Sequence, residues 1–234
     1  MKLEERFGLQ GRHALVIGVA ALGSESFTHL CGPDRPIPDA GIVTILGPGT
    51  GLGVAALLRR PGSYGVLETE GGHVAFSPEG DEETAVLARL AARFGRVSNE
   101  RLISGGGLVN IHRALCELDG KPVPGDFKPR DVTAGADTGD ARCVRALDMF
   151  CAAFGAATGD LVLTLGAWDG AFLTGGLVPR LLPRLQSSQF RARFESKGRF
   201  REAMSHVPTM AVVHPHAGLL GAAAFAAQDA GLPL

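Results

Sequence analysis

Apolar residues in this chain fall into short runs separated by glycine and proline, and the spacing within each run suggests its element. Ile42-Val43-Thr44-Ile45-Leu46 is β-branched and predicts a strand; residues 54–58 predict a second. Residues 59–65 read as a hairpin connection leading to 66–70. From Ser77 the pattern turns helical, with Pro78 early, Asp81, Glu82 and Glu83 in the first turn, and Gly95 past the end. Val86, Leu87, Leu90 and Ala91 give that helix one apolar face. Further helices are expected over about 108–118, 131–137, 139–158 and 177–185.

Residues 161–165 predict a buried strand, 166–170 a hairpin turn and 171–174 its return strand. A last strand over 210–213 and a closing helix over 217–230 complete the pattern. At the other end, residues 1–10 read as the end of a helix and 13–17 as a short strand. A Pro-rich loop over 31–39 follows. The Arg- and Phe-rich segment 190–205 reads as a partly helical, solvated charged face with a few anchoring rings. Strands that pair locally and then alternate with helices make an α/β protein.

Composition narrows the partners. The 234 residues are 45% hydrophobic and 20% charged, with a net charge of −1 and no long basic block, so no nucleic-acid or membrane-surface partner is indicated. No uninterrupted apolar stretch reaches membrane-spanning length, and the charged start lacks the apolar core of a signal peptide. Cys31, Cys116, Cys143 and Cys151 match no zinc spacing, and reduced, mostly buried thiols suit a cytoplasmic protein.

The candidate chemistry sits in glycine-rich turns. In Gly47-Pro48-Gly49-Thr50-Gly51-Leu52-Gly53 a glycine at every second position lets a ligand approach the backbone. Successive N–H groups in such a turn make an anion-binding concavity, although a glycine-rich hairpin that only relieves a tight bend has the same composition. In Glu70-Gly71-Gly72-His73, two glycines can bend a carboxylate and an imidazole into one cleft, a pairing that suits a polyol. A turn whose imidazole bonds a backbone carbonyl is the alternative. Glu100 precedes Ser104-Gly105-Gly106-Gly107, and Thr174 precedes Gly175-Gly176. Both glycine clusters are expected after a strand and before a helix, where open α/β sheets bind ligands, unless they serve only close packing.

Together, residues 47–55, 70–74, 98–108, 170–180, 190–200 and 214–221 resemble the bacterial glucokinases, over about residues 24–232. That resemblance implies an actin-like ATPase (ribonuclease H-like) α/β fold with two lobes closing over glucose and ATP. Residues 24–213 would be the large lobe, 1–23 a remnant of the small lobe and hinge, and 214–234 a helix returning toward the small lobe. Gly47, Gly49, Thr50, Gly51 and Gly53 resemble the family's second phosphate loop, and Gly175 and Gly176 part of its adenosine pocket. Glu70, His73 and Glu100 each match a sugar-hydroxyl ligand.

The implied reaction is in-line transfer of the γ-phosphoryl group of ATP to the glucose 6-hydroxyl, in glycolysis. Mg²⁺ would spread the charge and a carboxylate base would accept the proton. The family places that base in an Asn-Asp-Phe run after a strand resembling Ala14-Leu15-Val16, and no Asn-Asp pair occurs in this chain. The first phosphate loop and nearly all of the small lobe have no counterpart either, as in an N-terminally truncated glucokinase. Two readings follow: a glucokinase, and a non-catalytic remnant that binds sugar. A cleft face without its partner lobe would expose apolar surface, so a homodimer or poor solubility is expected.

Overall fold

The computed structural model describes residues 26–61, 63–123, 125–217, 219, 220 and 223. Its strands are β1 (Phe27–Cys31), β2 (Gly41–Pro48), β3 (Leu52–Arg60), β4 (Ser63–Thr69), β5 (Gly170–Leu173) and β6 (Thr209–Val212). They form one mixed sheet in the order β1-β6-β5-β2-β3-β4. β2, β3 and β4 are an antiparallel meander, and β2 pairs with β3 from Gly41 opposite Arg59 to Pro48 opposite Leu52. That register leaves Gly49-Thr50-Gly51 as the hairpin tip. β5 lies parallel to β2 and β6 parallel to β5, while β1 closes the edge antiparallel to β6.

The helices are α1 (Gly80–Phe94), α2 (Gly105–Leu118), α3 (Pro129–Asp137), α4 (Ala141–Leu165), α5 (Val178–Ser187), α6 (Phe190–Glu195) and α7 (Arg201–Ser205). Strand alternation divides the apolar side chains between two faces. Leu46, Leu52, Val54 and Leu173 pack with Val86, Leu90, Leu108, Ile111, Phe150 and Phe154 of the helices. Val43, Ile45, Ala55, Leu57 and Phe172 form a second cluster on the opposite face, with Val212 and Ala217.

Residues 161–165 are the last turns of α4, not a strand. Thr158 and Gly159 look like a stop but sit inside the helix. The Thr158 hydroxyl donates back to the Phe154 carbonyl at 2.7 Å, and Gly159 lies against the Phe194 carbonyl of α6. Gly166 ends the helix with a φ of 65°, so 166–170 connect helix to strand instead of turning a hairpin. The 25-residue α4 is long and apolar enough to cross a bilayer by length and composition, yet 78% of its most apolar window is buried inside the fold.

Three further differences concern the sheet edge, the triple glycine and the charged segment. β1 falls where the residues gave no strand signal. The triple glycine follows a 3-10 turn, Asn99–Arg101, and no strand. Segment 190–205 is a solvated face only in part: residues 198–203 are exposed, but Arg191 donates to the carbonyls of Met204, Ser205 and Val207, and Arg193 pairs with the buried Glu83. Phe190 and Phe194 are fully buried, as anchoring rings should be. The expected elements at 1–10 and 13–17 lie outside the described residues, as does most of 217–230, of which residues 217, 219, 220 and 223 are helical.

α4 and α6 approach each other at backbone distance. A Cβ on Gly155 would meet the Phe190 carbonyl oxygen at 2.0 Å, a clash with main chain that no rotamer relieves. Gly155→Ala should therefore destabilise the fold by about 1–3 kcal/mol, as overpacked core substitutions do. The shift in the urea midpoint measures it; an unchanged midpoint contradicts the packing described.

Candidate functional site at the glycine hairpin

The β2–β3 hairpin holds its tip rigidly. Gly49 N–H donates to the Gly51 carbonyl at 2.8 Å, and the Gly49 carbonyl accepts from Gly105 N–H at 2.8 Å. Gly105 opens α2, whose cap is Ser104: its hydroxyl accepts from Gly107 N–H at 3.0 Å and donates to the Glu100 carbonyl at 2.8 Å. The Gly105 and Gly107 amides of this helix start are thus engaged within the chain, and Gly107 packs directly on the Leu102 backbone. Close packing accounts for Gly107, while a Cβ on Gly106 would meet only the Ser104 hydroxyl oxygen, at 3.9 Å.

Glu100 reaches the hairpin itself. Its Oε2 accepts from Leu52 N–H at 2.9 Å, and a Cβ on Gly51 would stand 2.4 Å from the same oxygen. Glycine at 51 is what lets the carboxylate approach. On the other side of Leu52, its carbonyl oxygen would be 2.2 Å from a Cβ on Gly72. The Glu70–His73 turn and Glu100 therefore both touch the peptide groups of one residue, Leu52. Among the described residues, the Thr50 and Gly51 amides at the tip have no intramolecular acceptor, and Thr50 is exposed.

Residues 71–73 form a single 3-10 turn. The Thr69 hydroxyl donates to the Val54 carbonyl at 3.1 Å and accepts from Gly71 N–H at 3.1 Å, fixing the turn to β3. His73 N–H donates to the Glu70 carbonyl, and the Glu70 Oε2 lies 3.7 Å from His73 Nε2. Both side chains are partly exposed. A short antiparallel bridge, Ala75 opposite Ser98, ties this turn to the segment bearing Glu100. Asn99 N–H to the Val74 carbonyl and Phe76 N–H to the Val97 carbonyl complete it. Arg96 donates to the His73 carbonyl at 2.8 Å.

Gly175 completes the set. It adopts a φ of 88° and lies against the Pro48 carbonyl, where a Cβ would be 2.6 Å away. Thr174 N–H donates to the Leu46 carbonyl at 2.8 Å, which extends β5 along β2 up to that contact. Gly176 follows, exposed, before α5. Glu70, His73, Glu100, Gly47, Gly49, Thr50, Gly51, Gly53, Gly175 and Gly176 thus share one end of the sheet. Sequence reasoning missed Thr69 and Arg96, which hold the turn. Thr69 stood beside Glu70 as a signal; Arg96 had none.

The sequence profile of the glucokinase family matches residues 12–229. This chain belongs to the glucokinase family. A glucokinase of Stenotrophomonas maltophilia strain K279a is 62% identical over 184 residues, which cover 79% of this chain and 55% of that protein. One of Xanthomonas euvesicatoria is 61% identical over 191 residues, or 82% and 57%. The chain thus spans about half the length of the curated relatives it matches.

Among solved structures, glucokinase from an Antarctic psychrotroph superposes with a TM-score of 0.82 at 31% identity, covering 91% of this chain and 66% of that one. A ROK family glucokinase from Streptomyces griseus, in complex with glucose and AMPPNP, has a TM-score of 0.61 at 22% identity, covering 97% and 71%, and shares the fold. The α/β, actin-like ATPase architecture expected from the glucokinase resemblance is the one observed.

The Glu100–Leu52 contact is testable in this glucokinase-family fold. Glu100→Leu leaves a half-buried amide without an acceptor and should cost about 1–3 kcal/mol. Glu100→Gln keeps an acceptor oxygen and should cost much less. Urea denaturation of the two variants ranks them; equal losses contradict the hydrogen bond.

Proposed function

We propose that this chain supplies the sugar-binding and phosphate-binding lobe of an ATP-dependent glucokinase, which moves the γ-phosphoryl group of ATP to the 6-hydroxyl of glucose. The observation that carries this reading is the meeting of Glu70, His73 and Glu100 with the glycine hairpin at the Leu52 peptide groups. Two carboxylates and an imidazole offer acceptors and a donor for adjacent hydroxyls of a pyranose. The Thr50 and Gly51 amides and the Thr50 hydroxyl offer donors to phosphate oxygens, and Gly176, exposed just after the Gly175 contact, leaves space for the nucleoside. Mg²⁺ enters as part of the substrate MgATP: the hairpin tip presents amides for phosphates, not carboxylates for the ion. Residues 24–213 are the large lobe on this reading, and the setting is cytoplasmic glycolysis.

A second reading is glucose binding without turnover. It is favoured by the absence of an Asn-Asp pair, where the family resemblance would place the base, since a general base contributes on the order of a hundredfold or more to the rate. Calorimetric titration with glucose, run beside glucose 6-phosphate formation from ATP, separates the two. Glucose binding that weakens about tenfold or more in Glu70→Ala is the expected result for either, because a hydrogen bond to a charged group contributes about 1.5–3 kcal/mol. Product formation decides for the kinase; binding without product decides for the remnant; no glucose binding overturns both. The homodimer expectation belongs to this proposal, and a monodisperse monomer in sedimentation removes it.

A further inference from the structure

A second cluster of chemically capable side chains lies away from the hairpin, where α2, α3 and the start of α4 meet. The ligand atoms of His112, Asp140 and Cys143 all lie within 4.8 Å of one another. We propose that these three residues bind a thiophilic divalent cation of the Zn²⁺ class. Zn²⁺ takes thiolate, imidazole and carboxylate at about 2.0–2.3 Å in a tetrahedron, so rotations of about 1 Å close this group on an ion.

Each ligand is held by something else, as metal ligands are. The His112 ring stacks on Phe127, with centroids 4.4 Å apart and planes 25° from parallel. Asp140 caps α4, one oxygen accepting from Arg142 N–H at 3.0 Å and Cys143 N–H at 2.9 Å, which sets the carboxylate beside the Cys143 thiol. Cys143 lies buried against Gly135 of α3, where only a glycine leaves room for its sulfur. Cys116, one helical turn after His112, brings a second thiol to 3.8 Å from His112 Nδ1.

The surroundings leave space for an ion. A cavity of about 320 Å³, lined by His112, Cys116, Phe127, Asp131, Asp140 and Cys143, opens beside the cluster and gives a path for the ion and a fourth, water ligand. The nearby guanidinium of Arg142 is drawn aside by Asp119 at 3.0 Å, which offsets its charge. None of these residues takes part in the proposed sugar or phosphate contacts. The thiol and imidazole on α2 and α4 would make such an ion a clip between the two helices.

The test is zinc uptake by the tag-free full chain after chelator treatment, measured by competition with a chromophoric chelator, with Co²⁺ as a spectroscopic stand-in. One equivalent should bind, and Co²⁺ should show a thiolate charge-transfer band. Cys143→Ser should remove the band. Asp140→Asn, which keeps a good helix cap, should weaken uptake about tenfold or more while the metal-free melting temperature stays near that of the parent. Cys151→Ser, a buried thiol outside the cluster, should change neither. Uptake well below one equivalent overturns the proposal, as does uptake that survives Asp140→Asn and Cys143→Ser unchanged.

Discussion

One carboxylate decides how the candidate site is built. Glu100 sits in a 3-10 turn outside the sheet, yet its side chain accepts the Leu52 amide just past the hairpin tip. The same turn is bridged by main chain to the Glu70–His73 segment, and that segment rests against the carbonyl of Leu52 through Gly72. Main-chain bonds, a charge-assisted hydrogen bond and two side-chain-free approaches therefore bind three loops together. Loops held this way keep their polar groups in register without a buried core of their own.

The rest of the fold supplies the platform. β2 and β3 are buried on both faces, and α2 is pinned to the hairpin tip by the bond from Gly105 to Gly49. β5 delivers Gly175 to the base of the same hairpin by pairing parallel to β2. Glycine recurs at these contacts because backbone meets backbone or carboxylate there. In the proposed kinase, the sugar contact at Glu100 would be anchored at Leu52, within two residues of the phosphate contacts at Thr50 and Gly51, so binding one substrate would organise the place of the other.

Much of this was legible in the residues. Alternating glycines between a β-branched run and a second apolar run pointed to the hairpin, and Glu70-Gly71-Gly72-His73 pointed to a second turn. The arrival of Glu100 at these two turns was not legible, because it depends on a long-range bond between Leu52 and Glu100. Residues 161–165 misled for a physical reason. Leu161, Val162, Leu163 and Leu165 are apolar around the helix, so periodicity is lost, and Gly159 signals a stop that packing against α6 overrides. β1 was hidden because Thr28 and His29 interrupt its apolar run, and its place is set by pairing with β6. Arg191 and Arg193 read as solvated because charge alone does not reveal carbonyls and a buried carboxylate waiting across the fold.

The central claim is that the Glu70–His73 turn and the glycine hairpin form one unit. Amide resonances of a ¹⁵N-labelled chain, followed through a glucose titration, test it most directly. The account predicts that Leu52 and His73 shift together, saturably and with the same apparent affinity. A saturable shift at His73 with Leu52 unmoved, or no saturable shift at either, would contradict it.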